Sequence, residues 1–254
     1  MELSIQVPED HSAKIWRYVD LPRLLSLLEE SCLYLARADL LGDPFEGSFT
    51  PRSLDAERVK AGDEYLSNTW RPLLGRLPKW TYVSCWHLAE WESAALWHLN
   101  ASTSSAVALQ STVAKLISAF PATTEQGSEG ELRVQDVSTV TYLDYRSDGP
   151  DLSFTSGPYI IKRASFAHEK EIRAVLQILP TIPKALGKRA INLSAPDGSP
   201  GIRQAIVPAA FLDAIYISPS APTWHSNLLV ALLKKYDLQH LGLSKSSLQD
   251  EPFF

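Results

Sequence analysis

Short runs of β-branched and aromatic residues alternate with helix-spaced leucines from the start of the chain. That succession restricts it to folds in which helices pack against a sheet. Ile15-Trp16-Arg17-Tyr18-Val19 reads as a first strand. Asp20 then stands where a helix wants its N-cap, with Pro22 close behind, and Leu21, Leu24, Leu25 and Leu28 recur at helical spacing as far as Glu30. Leu33-Tyr34-Leu35-Ala36 returns to strand, so the opening unit is strand, helix, strand.

Residues 53–77 look helical but interrupted, with Gly62, Pro72 and Gly75 as breakers. Residues 80–86 alternate large aromatics with Thr81, Val83 and Cys85, as a central strand buried on both faces does, and a helix is expected over about 89–99. Residues 106–110 form a short apolar strand. Ser111 or Thr112 can cap the helix after it, which carries Val113, Leu116, Ile117 and Phe120 on one side. Further strands are expected at 132–145, with a break, and at 159–163, 171–178, 202–207 and 214–218, before a helix over 222–236. Strands dominate the second half, which predicts an α+β fold, a mixed or mostly antiparallel sheet with flanking helices.

At 254 residues, 45% of them hydrophobic, the chain is long enough to bury a substantial core, and a single domain spanning 1–254 is expected. Segments 121–131 and 146–157 read as surface loops, because the strand-like runs beside them are too short to fold separately. A formal net charge of -5 with no long basic run argues against general nucleic-acid binding, which depends on clustered Lys and Arg. Lys184, Lys188 and Arg189 come nearest to a basic cluster and read as a solvated turn.

Only Cys32 and Cys85 carry thiols, and both lie in apolar runs, which suits a reducing compartment. The first ten residues lack the basic and apolar regions of a signal peptide, and no stretch has the apolar length of a membrane span. Cytoplasmic residence with no membrane partner is the expectation. Cys85, His87 and His98 lack the spacing of a zinc set, so no metal is expected, and Cys85 reads as apolar filler rather than a nucleophile. There is no Gly-rich phosphate loop, G-x-S-x-G elbow or H-E-x-x-H helix.

The unusual polar residues gather in Gly42-Asp43-Pro44-Phe45-Glu46-Gly47 and His168-Glu169-Lys170-Glu171-Ile172-Arg173. With a strand over 171–178, Ile172, Ala174, Leu176 and Ile178 share one face and Glu171, Arg173, Val175 and Gln177 the other. Extending that strand backwards adds Glu169 to the charged face. Two readings follow: an edge strand displaying alternating charges, or a catalytic carboxylate at one glutamate. In the first segment Pro44 and two glycines favour a tight turn. Phe45 is expected to anchor it in the core, leaving Asp43 and Glu46 able to face a ligand.

Taken in order, Trp16-Arg17-Tyr18, the leucine-rich helix, Leu33-Tyr34-Leu35-Ala36, Asp43-Pro44-Phe45-Glu46, Val83-Ser84-Cys85-Trp86, Ala95-Leu96-Trp97, Val107-Ala108-Leu109 and Glu169-Lys170-Glu171-Ile172-Arg173 resemble a bacterial domain-of-unknown-function family, number 2971, over about residues 15–218. The chain departs from that family's pattern at Gly42, Trp86-His87 and Asn100, where Asn, a Phe-Ser pair and Tyr are usual. The family name conveys no activity.

The layout is more loosely similar to ADP-ribosyltransferases, with a basic residue on the first strand, an aromatic-rich middle strand and a late Glu-x-Glu. This likeness implies an NAD-dependent ADP-ribosyltransferase or NAD glycohydrolase in a bacterial toxin or phage-defence setting, with NAD as substrate and an unknown acceptor. It implies Glu171 on the ribose 2′-hydroxyl with Glu169 beside it, Arg17 on the pyrophosphate, and Tyr18, Tyr82 or Trp86 stacking on nicotinamide near Ser84. Asp43, Phe45, Glu46, Trp97 and Arg173 complete the motif set. The alternative is a non-catalytic module that recognises a basic partner or small ligand through the Asp43/Glu46 loop and the Glu169/Glu171 strand.

Overall fold

The computed structural model describes residues 4–100, 104–127, 130–150, 155–184, 186, 188–250 and 252. Its strands are β1 (Lys14–Val19), β2 (Cys32–Arg37), β3 (Thr81–Leu88), β4 (Val107–Thr112), β5 (Thr123–Gln126), β6 (Leu132–Thr139), β7 (Thr141–Leu143), β8 (Ile161–Arg163), β9 (Glu171–Leu179), β10 (Thr181–Pro183), β11 (Arg189–Ile191), β12 (Gly201–Ala205), β13 (Ala214–Ile217) and β14 (Gly242–Lys245). Most pairings are antiparallel, while β7 with β8 and β13 with β14 are parallel, so the fold is α+β with a mixed, mostly antiparallel sheet. The chain divides into two compact units, each assembled from segments far apart in sequence.

The first unit comprises Met1–Val7, Leu35–Cys85 and Phe120–Ile202. Its spine is β9, which lies between β3 and β6 and runs antiparallel to β6 from Leu132 opposite Leu179 to Thr139 opposite Ile172. The edge-strand reading is thereby corrected. β9 is interior, and even Glu171, Arg173 and Gln177 on its charged face are buried. Trp80, Val83, Tyr159, Ile160, Ile161 and Val175 form the core around it.

The expected loop over 121–131 contains β5, paired to β6 from Thr123 opposite Gln135 to Gln126 opposite Leu132. Its polar sequence hid it, because β5 buries almost nothing and is held by backbone pairing. Residues 128–129 and 151–154 of the two expected loops lie outside the described residues.

The second unit comprises Pro8–Tyr34, Trp86–Ala119 and Arg203–Phe254. Here β1 pairs antiparallel with β4, β4 with β13, and β14 joins β13 in parallel. The helix Leu21–Glu30 is capped as its sequence asks, with the Asp20 carboxylate accepting from the Arg23 N–H and Ser31 left-handed at the other end. Its buried stripe is Leu24, Leu27 and Leu28, rotated slightly from the expected one. In the helix Val113–Ala119, Val113 and Leu116 are fully buried, as is Phe120 just beyond it. Trp16, Tyr18, Leu96, Trp97, Ala106 and Ala108 make a separate core cluster. No helix among the described residues is long and apolar enough to cross a membrane.

Candidate functional site

The two polar segments meet inside the first unit. Glu171 opens β9 and is fixed at its backbone, its N–H donating to the Tyr142 hydroxyl at 2.8 Å and its carbonyl accepting from the Val140 N–H at 2.8 Å. Its carboxylate accepts from Arg173 Nε at 2.5 Å and from Lys162 Nζ at 2.8 Å. Arg173, two residues along on the same face, turns its other nitrogens onto Glu46 as a two-pronged fork at 2.7 and 2.9 Å. Its Nη1 also donates to the Tyr159 carbonyl at 3.0 Å. Lys162, from β8, lies 3.3 Å from Glu46 and also bonds Glu169.

Glu169 reaches this cluster by a route the alternation of β9 did not foresee. The strand does not extend back to it. Glu169 ends a short 3-10 helix, Ala164–Glu169, and Lys170 takes a left-handed conformation at φ 42°, so the chain pivots at one residue. The pivot turns both carboxylates toward one ammonium.

Three carboxylates, Glu46, Glu169 and Glu171, thus face two cations, Lys162 and Arg173, leaving one excess negative charge if all are ionised. Burial and neighbouring charge favour one carboxylate over another. Burial resists ionisation of Glu171, but Arg173 above all, with help from Glu169 and Lys162, holds its carboxyl well below the usual range. Glu169 is pushed up to about 7, first by burial and then by its hydrogen bond with Glu171, against the pull of Lys162. Burial opposes charge on Lys162 as well, yet Glu171 and Glu169 keep it protonated beyond its ordinary value. The Cys85 thiol beside this network is pushed up by burial and then by the Glu171 charge, which disfavours the thiolate a nucleophile needs.

The Gly42–Gly47 segment is anchored differently from expectation. Phe45 is 44% exposed, so it does not plug the loop into the core. The polar residues do so instead. Asp43 accepts from the Phe45 N–H at 3.1 Å and from two Arg163 nitrogens at 2.7 and 3.2 Å, and Glu46 takes the Arg173 fork. The Phe45 ring carries the Arg163 guanidinium at 4.4 Å and meets Tyr145 edge-on at 5.9 Å. Gly47 has φ 74°, and a Cβ there would fall 2.5 Å from the Tyr159 ring. Only glycine satisfies both the turn and that contact.

Asp43, Phe45, Glu46, Glu169, Glu171 and Arg173 are therefore brought together. Tyr82 and Ser84 lie buried in the same unit, on β3. Arg17, Tyr18, Trp86 and Trp97 belong to the second unit. There the Arg17 guanidinium donates to the Tyr34 carbonyl at 3.2 Å and stacks 5.6 Å from the Trp86 ring. The Tyr18 hydroxyl accepts from the Ser93 N–H at 2.6 Å, its ring meets Trp97 edge-on, and Trp97 donates to Glu92 at 2.8 Å. Trp86 packs edge-on against Phe211. All three of these aromatic rings are buried in packing.

Sequence reasoning missed Lys162, Arg163 and Tyr142. The signal was present: Lys162-Arg163 follows the apolar run Tyr159-Ile160-Ile161 directly, and buried carboxylates require cations. Among the described residues no group of three or more His, Cys, Asp or Glu is arranged to hold a metal ion. No family model, curated protein or solved structure matches the chain, so its own geometry carries the functional argument.

Proposed function

We propose that the protein cleaves the nicotinamide–ribose bond of NAD, as a glycohydrolase or ADP-ribosyltransferase, with Glu169 and Glu171 as its working carboxylates. The observation that carries this reading is the pair's asymmetry: the Glu171 carboxylate is buried and held by Arg173 Nε at 2.5 Å and Lys162 Nζ at 2.8 Å. Glu169, on the same ammonium, is the more exposed of the two, and burial and the neighbouring Glu171 push its carboxyl up. A Glu-x-Glu at the entry to a late strand, with Glu169 ending the 3-10 helix and Glu171 opening β9, is loosely similar to the layout of ADP-ribosyltransferases and supports the same assignment.

The chemistry divides naturally between them. As the bond breaks, its electron pair leaves with nicotinamide and positive charge builds on the ribose. A preorganised anion stabilises that charge more than it stabilises the ground state. Glu171, oriented by Arg173 and Lys162, supplies the anion. Water or an acceptor hydroxyl then attacks the ribose carbon and gives up a proton, which Glu169 takes in its ionised form, its raised carboxyl making it the better base of the two.

The binding-module alternative is less well supported. It would have the Asp43/Glu46 loop and the Glu169/Glu171 strand take a basic partner or small ligand without turnover, but the carboxylates of Asp43 and Glu46 already hold Arg163, Arg173 and Lys162, which disfavours a basic partner. Nicotinamide release from NAD by the purified protein tests the proposal. Turnover is expected in the wild type and a loss of about 100-fold or more in Glu171→Gln and Glu169→Gln. A folded Glu171→Gln that turns over NAD at the wild-type rate, or a wild type that releases no nicotinamide, refutes it.

A further inference from the structure

The second unit contains a cavity of about 310 Å³ whose floor is apolar, with Leu27, Leu33 and Leu109 among its lining. Three arginines from three elements share its wall: Arg17 of β1, Arg23 of the helix Leu21–Glu30, and Arg203 of β12. Arg17 is oriented, held by the Tyr34 carbonyl and the Trp86 ring. The other two are at the rim with 71% and 57% of their side chains exposed. Arg23 stands 3.7 Å from Asp20, and Arg203 pairs with Glu30. Such exposed pairs contribute little and exchange readily, so both guanidiniums can turn onto an incoming anion.

Three guanidiniums against two carboxylates leave a local positive excess over an apolar floor. The planar fork of arginine matches the oxygens of phosphate or carboxylate, and the volume falls at the lower end of the range for small-molecule sites. We propose that this cavity binds a small organic anion, an oxyanion headgroup on an apolar or planar body, with Arg17, Arg23 and Arg203 taking the headgroup and the leucine floor taking the body. This site stands apart from the Glu169–Glu171 reading and does not depend on it.

Calorimetric titration of the full chain with phenyl phosphate, inorganic phosphate and benzyl alcohol tests the proposal. Phenyl phosphate should saturate, and bind at least about 10-fold more tightly than either fragment, because only it offers both headgroup and body. Arg23→Gln with Arg203→Gln should weaken it by about 10-fold or more, and added salt should weaken the wild type. Lys234→Gln with Lys245→Gln, which removes the same charge from exposed positions elsewhere, should leave it unchanged. Arg17→Lys should also weaken binding, since an ammonium lacks the planar fork. The proposal is overturned by absence of saturable binding, by equal affinity for phosphate and phenyl phosphate, or by a folded Arg23/Arg203 variant that binds like the wild type. None of these outcomes touches NAD turnover.

Discussion

Glu169 and Glu171 converge on a single ammonium, Lys162 Nζ, although only one residue, the left-handed Lys170, separates them in the chain. Two carboxylates at that proximity cannot ionise equally, and the division follows exposure and partners. Glu171 has the buried Arg173 beside it, while Glu169 sits at the rim.

The asymmetry has a pH signature. Glu169 is raised from about 4.5 in the unfolded chain to about 7, so the folded protein holds its proton more tightly. Its contribution to stability is complete below about pH 4.5 and is lost as pH rises through about 7. Glu171, held low, acts in the opposite sense: its contribution is present above its unfolded value and disappears only as acid protonates the folded state. Glu169→Gln imitates the protonated form. Relative to it, wild-type unfolding free energy in urea should fall by about 2–3 kcal/mol between about pH 5 and 8. Parallel pH curves for the two proteins count against the placement of Glu169.

Arg173 is fully buried and serves Glu46, Glu171 and the Tyr159 carbonyl. Arg173→Met should cost about 3–5 kcal/mol, since it leaves two buried carboxylates without their guanidinium. Adding Glu46→Gln and Glu171→Gln to Arg173→Met should recover part of that loss. Chemical denaturation of the single and combined variants measures the coupling, and strict additivity contradicts a shared network.

Gly47 and Gly42 flank the same motif but face different constraints. Alanine at Gly47 meets a left-handed φ of 74° and a Tyr159 ring atom at 2.5 Å, whereas a Cβ at Gly42 meets nothing within 4 Å. Gly47→Ala should destabilise by about 2–4 kcal/mol and Gly42→Ala by under about 0.5 kcal/mol. Thermal melts that rank them the other way dispose of the anchored-turn account.

Both thiols resist ionisation. Burial raises Cys85 and Cys32 above the ordinary cysteine value, with Glu171 and Glu30 respectively adding to the effect. A thiol-reactive chromophore at about pH 8 should label neither at an appreciable rate in the native protein and both in denaturant. Rapid native labelling of Cys85 would reopen a nucleophilic role for it.

The helix Leu21–Glu30, β1, β2, β4 and β9 were legible in the sequence because each announces itself locally, through an N-cap, a leucine stripe or a run of alternating residues. So was the shared strand face of Glu171 and Arg173, two residues apart, though not the ion pair between them. β5 and β14 were not, because short polar strands are fixed by the neighbour they pair with rather than by their own composition.

The site divides along the same line. Sequence marked Asp43, Glu46, Glu169, Glu171 and Arg173 as unusual, since charges among apolar runs demand an account. Only the tertiary structure could give it. Opposite charges far apart in the chain meet only when strands and loops bring them together, as Glu46 and Arg173 do across 127 positions. Lys162 joins them from a third segment. The structure also decided which carboxylate reaches solvent, because desolvation and neighbouring charge are properties of a place in the fold and not of a residue type.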